Sequence, residues 1–273
     1  MLLDELNNIV FDEIISLGHS CQVATQLKRK GLRESSFPYD WLVSENMDFE
    51  NGFTNFFRLE DLVLDGICDE CSRVVDKRTN YIYQHIFQVG LSIEEEFPRV
   101  KEILQRRVCR LLHILNDKDK SVLFIRTNAT LKEQERLNEA IKKYPSNVNV
   151  LVINHIKDRG IKQIFNGLDR ICCIEMFDEN DNINGKWQGY EEYYDYILGG
   201  ISYGKRLNKL PVDKRIYFST ELRNAELFVT SGLSHNEGTF SWSDGRILKI
   251  QFWSDIKNTV SAVLNCLGGV YSQ

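Results

Sequence analysis

The sequence has no apolar run long enough to cross a bilayer, and its opening, Met1-Leu2-Leu3-Asp4-Glu5, carries acid where an export signal carries base. Neither a membrane span nor a secretory leader is therefore expected. It also lacks a large basic cluster, and its 34 Lys and Arg against 39 Asp and Glu leave a net charge of −5. Nucleic acid is accordingly not expected as the main partner. The pattern of a metal site is missing too. Cys68-Asp-Glu-Cys71 has no second Cys-x-x-Cys and no His-x3-His to complete it, so no metal is expected. An acidic setting argues against a redox pair there as well. The seven cysteines are odd in number, scattered, and include the adjacent Cys172 and Cys173. Reduced thiols in a cytoplasmic protein account for that most simply.

What is present suits one large domain with an appendage. At 273 residues the chain can bury a full core, and 42% apolar and 27% charged residues are ordinary for a globular protein. Apolar, β-branched runs alternate with helical periodicity. Strands are predicted at Phe11–Leu17, Val122–Arg126, Val148–Asn154 and Arg170–Phe177, with a weaker one at Tyr81–Phe87. Helices are predicted at Cys21–Lys30, with Gly31 as C-cap, and at Thr130–Lys143, with Leu131, Leu137 and Ile141 inward. A third covers Ser92–Leu115, where Pro98 marks either a kink or the true first turn, and a short one falls at Ile161–Phe165. Residues 45–70 read as irregular or short helices anchored by Phe49, Phe53, Phe56 and Phe57. Continuous apolar strands joined by helices indicate a three-layer, Rossmann-like parallel sheet over residues 1–205. Beyond Gly204-Lys205 short alternating runs take over: Arg215–Thr220, Ala225–Thr230, Thr239–Trp242, Arg246–Trp253 and Val260–Leu264 predict a β-rich module over residues 206–273.

The most informative stretch is Ile14-Ile15-Ser16-Leu17-Gly18-His19-Ser20-Cys21-Gln22. A strand stops at a glycine, and a cysteine sits where a helix begins. Unpaired N–H groups of a first helical turn favour negative charge, which lowers a thiol's pKa and can hold an oxyanion during acyl transfer. Gly18 and Ser20 belong to this turn as substrate-binding candidates. A buried, purely structural cysteine is the competing reading. In an open parallel sheet, sites lie beyond the carboxyl ends of the strands. That rule gathers Gly18–Cys21, Arg126-Thr127-Asn128, Asn154-His155 and Asp178 along one edge. Arg126 could hold a carboxylate or phosphate, or form a structural ion pair.

Ser16-Leu17-Gly18-x-x-Cys21-x-x-Ala24-x-x-Leu27, followed by Leu32-Arg33-x-x-Ser36-x-Pro38-Tyr39-Asp40-Trp41-Leu42, resembles the opening signature of a bacterial family of papain-like cysteine peptidases. Val74-Val75-Asp76-Lys77-Arg78 with Tyr83-Gln84-His85-Ile86-Phe87 is similar to a later segment ending in His-Asp-Phe, with Ile86 in place of Asp. Val122-Leu123-Phe124-Ile125-Arg126-Thr127 fits a third block, so the resemblance spans about residues 12–155. It implies Cys21 as nucleophile and His85 as its base. Asp40, framed by Pro38 and Trp41, is the first candidate to orient the imidazole, and Asp76 the second. A turn or cap residue is an equal reading of Asp40. His155, with Asp158 close behind, rivals His85. Trp41 is counted among the substrate-binding residues.

Gly232-Leu233-Ser234-x-x-Glu237-Gly238-x-Phe240-Ser241-Trp242-Ser243-Asp244-Gly245 looks like a motif of β-sandwich modules in bacterial surface-polysaccharide glycosyltransferases and phosphoglycerol transferases. This implies a place near surface-polysaccharide biosynthesis, with Trp242 and Trp253 either stacking on sugars or buried. In outline the chain also resembles coenzyme-A-binding capsule enzymes that carry a cysteine after the first strand. The expectation is thus a cysteine-dependent peptidase or acyltransferase, acting on a small-molecule, glycan or peptide substrate. It needs no resident cofactor, although a coenzyme A thioester could serve as acyl donor. A non-catalytic glycan- or partner-binding protein with a structural Cys21 is the alternative. The oligomeric state is not legible.

Overall fold

The apolar runs read from the sequence become the strands of a central sheet. The structure is a computed structural model describing residues 1–44, 58–68, 70–178 and 187–205, and the backbone of strands 226–231, 236–241, 247–254 and 260–265. The chain opens with α1 (Leu3–Asn7), β1 (Val10–Phe11), β2 (Glu13–Ser16), α2 (Gln22–Arg29) and β3 (Leu42–Val43). A 3-10 turn, Leu59–Asp61, leads into β4 (Leu62–Cys68), β5 (Cys71–Asp76) and β6 (Tyr81–Gln88). There follow α3 (Ile93–Leu115), β7 (Ser121–Thr127), α4 (Leu131–Ile141), β8 (Asn147–Ile156), β9 (Ile161–Ile164), β10 (Ile171–Phe177), α5 (Glu191–Gly199) and β11 (Ser202–Tyr203). A second unit, residues 206–273, contains β12 (Glu226–Ser231), β13 (Asn236–Ser241), β14 (Ile247–Ser254) and β15 (Val260–Asn265).

In the first unit, residues 1–205, five strands run in the order β2-β7-β8-β10-β9. β2, β7, β8 and β10 are parallel, and β9 pairs antiparallel with β10 at the edge. Successive side chains of a strand point to opposite faces, so each strand feeds two cores. On one face Ile15, Phe124, Val122, Val150, Val152 and Cys173 pack with Val100, Leu104, Leu111 and Leu115 of α3 and with Leu137 and Ile141 of α4. On the other, Ile14, Leu123, Ile125, Leu151, Ile153 and Ile174 meet Leu6 of α1, Val23 and Leu27 of α2, and Tyr194, Ile197 and Leu198 of α5. Helices on both faces of a mostly parallel sheet make the three-layer α/β architecture expected from the sequence.

A second sheet in this unit, β3-β6-β5-β4, is antiparallel. It corrects one reading and leaves another outside the described residues. Residues 62–68 are a strand, not irregular chain, and Phe49, Phe53, Phe56 and Phe57 lie outside the described residues. The meander packs on the α3 side, where Tyr81, Tyr83 and Phe87 join the core. Three further readings change. Phe11–Leu17 divides, because β1 pairs with β11 while β2 pairs with β7. Ile161–Ile164 is an edge strand rather than a helix. Leu131 opens α4 at 54% exposure instead of facing inward.

Pro98 lies inside α3, which begins earlier at Ser92 with a reciprocal cap: Ser92 accepts from the Glu95 N–H while the Glu95 carboxylate accepts from the Ser92 N–H. In the second unit β12-β13-β14-β15 form an antiparallel meander. The strand expected at Arg215–Thr220 lies outside the described residues, as does Trp242, and the Trp253 side chain is not described.

Candidate active site

The turn after β2 is held in a conformation that few side chains permit. Gly18 has φ +75°, and a Cβ there would stand 2.8 Å from Ser44 Oγ and 3.3 Å from the carbonyl oxygens of Tyr39 and Leu42. His19 follows with φ +71°, a left-handed backbone in a non-glycine residue. The Gly18 N–H donates to Ser16 Oγ (3.2 Å) and the His19 N–H to Ser44 Oγ (3.1 Å). Arg126, at the carboxyl end of β7, braces the same turn. Its guanidinium donates to the Leu17 carbonyl (3.0 Å), Ser44 Oγ (3.1 Å) and the Ser44 carbonyl (2.6 Å), and the residue is fully buried. Burial lowers it to about 10. The residue read from the sequence as a substrate contact is thus embedded in the scaffold beneath the turn.

The turn delivers Cys21 to the N-cap of α2. Its carbonyl accepts from the Thr25 N–H (3.0 Å), and the Ser20 hydroxyl accepts from the Gln22 N–H (3.3 Å). Cys21 is buried, and its thiol reaches the side-chain oxygen of Gln84 at 3.9 Å. Gln84 belongs to β6, so the meander closes over the cysteine. Three β6 residues, Gln84 to Ile86, oppose Arg73 of β5 where the register shifts. Such a bulge re-aims side chains that strict alternation would fix.

His85, the next residue, is exposed, and its ring stands edge-on to Trp41 with centroids 6.0 Å apart. Among the described residues it makes no hydrogen bond to Cys21. Trp41 in turn lies under the Arg33 guanidinium, 5.2 Å from the ring centroid. Asp40 is wholly buried and accepts from Arg33 (Nε 2.9 Å) and from the Phe37 N–H (2.7 Å). Burial holds its carboxyl above the usual range despite Arg33. Asp40 therefore sits as the cap of the 37–40 turn and the partner of Arg33, without contact to His85 among the described residues. Asp76 likewise caps a turn, accepting from the N–H groups of Arg78 (2.9 Å) and Thr79 (3.2 Å).

A second constellation occupies the ends of β7, β8 and β10, as the strand-end rule predicts. Asn128, with φ +52°, clasps His155: its side-chain oxygen accepts from the His155 N–H (2.9 Å) and its amide nitrogen lies 3.2 Å from Nδ1. An amide donor on Nδ1 leaves the proton on Nε2, which stands 3.5 Å from the Asp178 carboxylate. Gln22 donates to the same carboxylate oxygen (2.8 Å) and to the Trp187 carbonyl (3.3 Å), and accepts from the Tyr194 hydroxyl (2.8 Å). The residue after Cys21 is thus tied to the His155–Asp178 pair. Burial depresses His155, and it lowers His19 to about 4 with help from Arg126 and then His155. Both rings are neutral at physiological pH. Cys172, by contrast, is pushed up to about 12 by burial and is an inert core thiol. Among the described residues no group of three His, Cys, Asp or Glu could hold a metal ion, and no helix is long and apolar enough to cross a membrane.

Gln84, Ser44 and Gln22 were not singled out from the sequence, and nothing in their spacing marks them. Gln84 acquires its role through the meander, Ser44 through the 37–44 loop, and Gln22 through the chain after β10 and α5, all of them long-range contacts.

Residues 12–158 match the profile of the family described as "Putative papain-like cysteine peptidase (DUF1796)". A protein of Acanthamoeba polyphaga mimivirus, "Uncharacterized protein R408", is 40% identical over 96 residues, covering 31% of this chain and 42% of that protein. The chain therefore spans less than half of that relative's length. No solved structure matches it. The matched segment contains Cys21, Asp40, His85, Arg126 and His155 and ends before Asp178.

Proposed function

This chain belongs to the family described as "Putative papain-like cysteine peptidase (DUF1796)", and we propose that within it Cys21 is the nucleophile of an acyl-transfer reaction. The observation that carries this reading is the placement of Cys21 at the N-cap of an eight-residue helix, after the 17–20 turn that follows a strand of a parallel sheet. The N–H groups of the first turn favour the thiolate over the thiol. In the reaction Cys21 Sγ attacks the carbonyl carbon of a thioester, ester or amide, and the oxyanion that forms is held by N–H groups at the 18–22 turn. The bond to the leaving group then breaks, and the leaving group takes the proton that Cys21 gave to the base. Water or an acceptor hydroxyl finally releases the acyl group.

His85 is our first choice of base. It adjoins Gln84, which touches the thiol, and sits on the β6 bulge. Contacts of this kind often tighten only with substrate bound. A second reading rests on the 3.5 Å approach of His155 to Asp178, a histidine and carboxylate pair that lies one residue, Gln22, from the nucleophile. Asp40 keeps a place in the site through Arg33 and Trp41 rather than as an orienting carboxylate. The resemblance of residues 232–245 to a motif of polysaccharide-transferase modules supports a saccharide as acyl acceptor.

Trapping the acyl-enzyme tests the proposal. The whole chain and Cys21→Ser are incubated with acyl-coenzyme A thioesters and activated peptide esters, then read by intact mass and peptide mapping. An acyl group on Cys21, absent from Cys21→Ser, is the expected result. No adduct with any donor, or adducts spread over several cysteines, would remove Cys21 from the role.

A further inference from the structure

The sequence holds a single Cys-x-x-Cys, Cys68-Asp-Glu-Cys71, whose acidic setting speaks against a redox role. The fold alters that reading. Cys68 ends β4 and Cys71 opens β5, and the two are paired directly across the antiparallel ladder. Two residues connect them, the length of a tight hairpin loop. Opposed residues of such a ladder have Cα atoms about 4.5 or 5.5 Å apart, according to the type of pair, and share one face of the sheet. A disulfide spans Cα separations of about 4.4–6.8 Å. Either type of pair therefore admits a bridge at the separation the backbone already has.

The end of this hairpin is set apart from the rest of its sheet. After the neighbouring pair, Ile67 and Ser72, the β4–β5 register shifts, with Gly66 at φ +110°, and the β5–β6 register shifts between Ser72 and Val74. A ladder is locally disrupted at such bulges, so the end can adjust as a ring closes. It is also open to small solutes: β4 is the outer strand of its sheet, Ile67 is 67% exposed, Glu70 is exposed and Cys71 is half-buried. In the fold two cations join the acids. Asp65 is paired with Arg73 (3.1 Å), and Arg99 lies close enough to Cys71 to feel its charge. Cys172 and Cys173 are adjacent in β10 but pack in opposite cores, so nearness in sequence does not by itself make a pair.

We propose that Cys68 and Cys71 form a reversible dithiol–disulfide pair that exchanges with a small-molecule thiol and its disulfide. The Cys71 thiolate attacks one sulfur of the small disulfide, whose S–S bond breaks and releases one thiolate. The Cys68 thiolate then attacks the Cys71 sulfur of the mixed disulfide and expels the second. One small disulfide and two protein thiols become one protein disulfide and two small thiols, which carry away the two electrons and two protons. A bridge closing so short a loop at an exposed hairpin end belongs to the labile class that the same small thiol reduces. The pair lies in the same sheet as Gln84, but it stands independently of any role for Cys21.

Glutathione and its disulfide are the probe. The whole chain is equilibrated with them over a range of ratios, quenched in acid, alkylated and digested with trypsin. Both cysteines fall on the peptide Leu59–Arg73, which contains no other, so closure reads as loss of two hydrogens and of both alkyl labels. The folded chain should close the pair at a level of glutathione disulfide about tenfold or more below that needed by the chain unfolded in urea, because the ladder holds the two positions opposite each other. Raising the reduced glutathione should reopen it, and Cys71→Ser should leave Cys68 able to form only a mixed disulfide. Closure no easier in the folded chain than in urea, or Cys71 held as a mixed disulfide while Cys68 stays alkylatable, would overturn the pairing. A bridge that no ratio of glutathione reopens would overturn its reversibility.

Discussion

Gly18 shows how tightly single residues are constrained around Cys21. Its φ of +75° and the 2.8 Å that would separate a Cβ from Ser44 Oγ leave no room for alanine. Gly18→Ala should lower the stability measured by urea unfolding by about 1–3 kcal/mol. It should also displace the Ser44 hydroxyl from the His19 N–H. His19 carries a second prediction. Its folded-state pKa is about 4 against an ordinary 6.5, and burial moves His155 in the same direction. The unfolded chain therefore binds protons that these rings refuse when folded. Their contribution to stability is complete above the ordinary value and is lost as pH falls towards 4. His19→Asn keeps a residue that tolerates the left-handed backbone and removes one of the two titrations. The difference between urea midpoints at about pH 7 and about pH 5 should narrow in that variant, and an unchanged difference would refute the assignment.

At this scale the sequence placed Cys21 at a helix start, because strand, glycine and helix start are neighbours in the chain. It could not mark Gln84, Ser44 or Gln22. Polar residues of this kind are common on surfaces, and these gain meaning from partners 25 to 172 positions away.

Helices and strands were legible where their signals were local. The Ser92–Glu95 and Thr130–Glu133 caps fix the starts of α3 and α4 by reciprocal hydrogen bonds. Ser92→Ala should cost about 1 kcal/mol in urea unfolding while leaving the helix register unchanged. Pro98 lies within α3, because the early cap and the buried Val100, Leu104 and Leu111 outweigh the hydrogen bond that proline cannot make. Two elements misled. The apolar run Ile161–Phe165 is too short to separate helix from strand by period, and pairing with β10 decides for strand. Of the sheet β3-β6-β5-β4 only β6 was read, at Tyr81–Phe87; β4 and β5 were missed because bulges interrupt their register and break the alternation that identifies a strand. Gln22 ties α2 to the chain after β10 and to α5 through Asp178, the Trp187 carbonyl and Tyr194. Gln22→Ala would leave those buried groups short of a partner and should cost about 1–3 kcal/mol. A loss well below that, measured by urea unfolding, would mean that the junction is held elsewhere.

For the whole molecule, both helical layers and the parallel sheet fall within residues 1–205, together with Cys21, His85, His155 and Asp178. A chain ending at Lys205 should therefore unfold cooperatively and keep the reactivity of Cys21, and loss of either would show that residues 206–273 complete the first unit. The class of fold was legible because period and run length report it directly. The antiparallel β module of residues 226–265 was legible as strands, with Glu226–Ser231 and Val260–Asn265 close to the predicted runs. The measurement that reaches the central claim most directly is the pH dependence of Cys21 alkylation by iodoacetamide. It is followed by mass spectrometry in the full chain and in His85→Ala. The account predicts that Cys21 reacts as a thiolate well below the ordinary thiol pKa of about 8.5, and that His85→Ala shifts its profile upward by about one unit. A Cys21 that titrates like an ordinary thiol and is indifferent to His85 would contradict it.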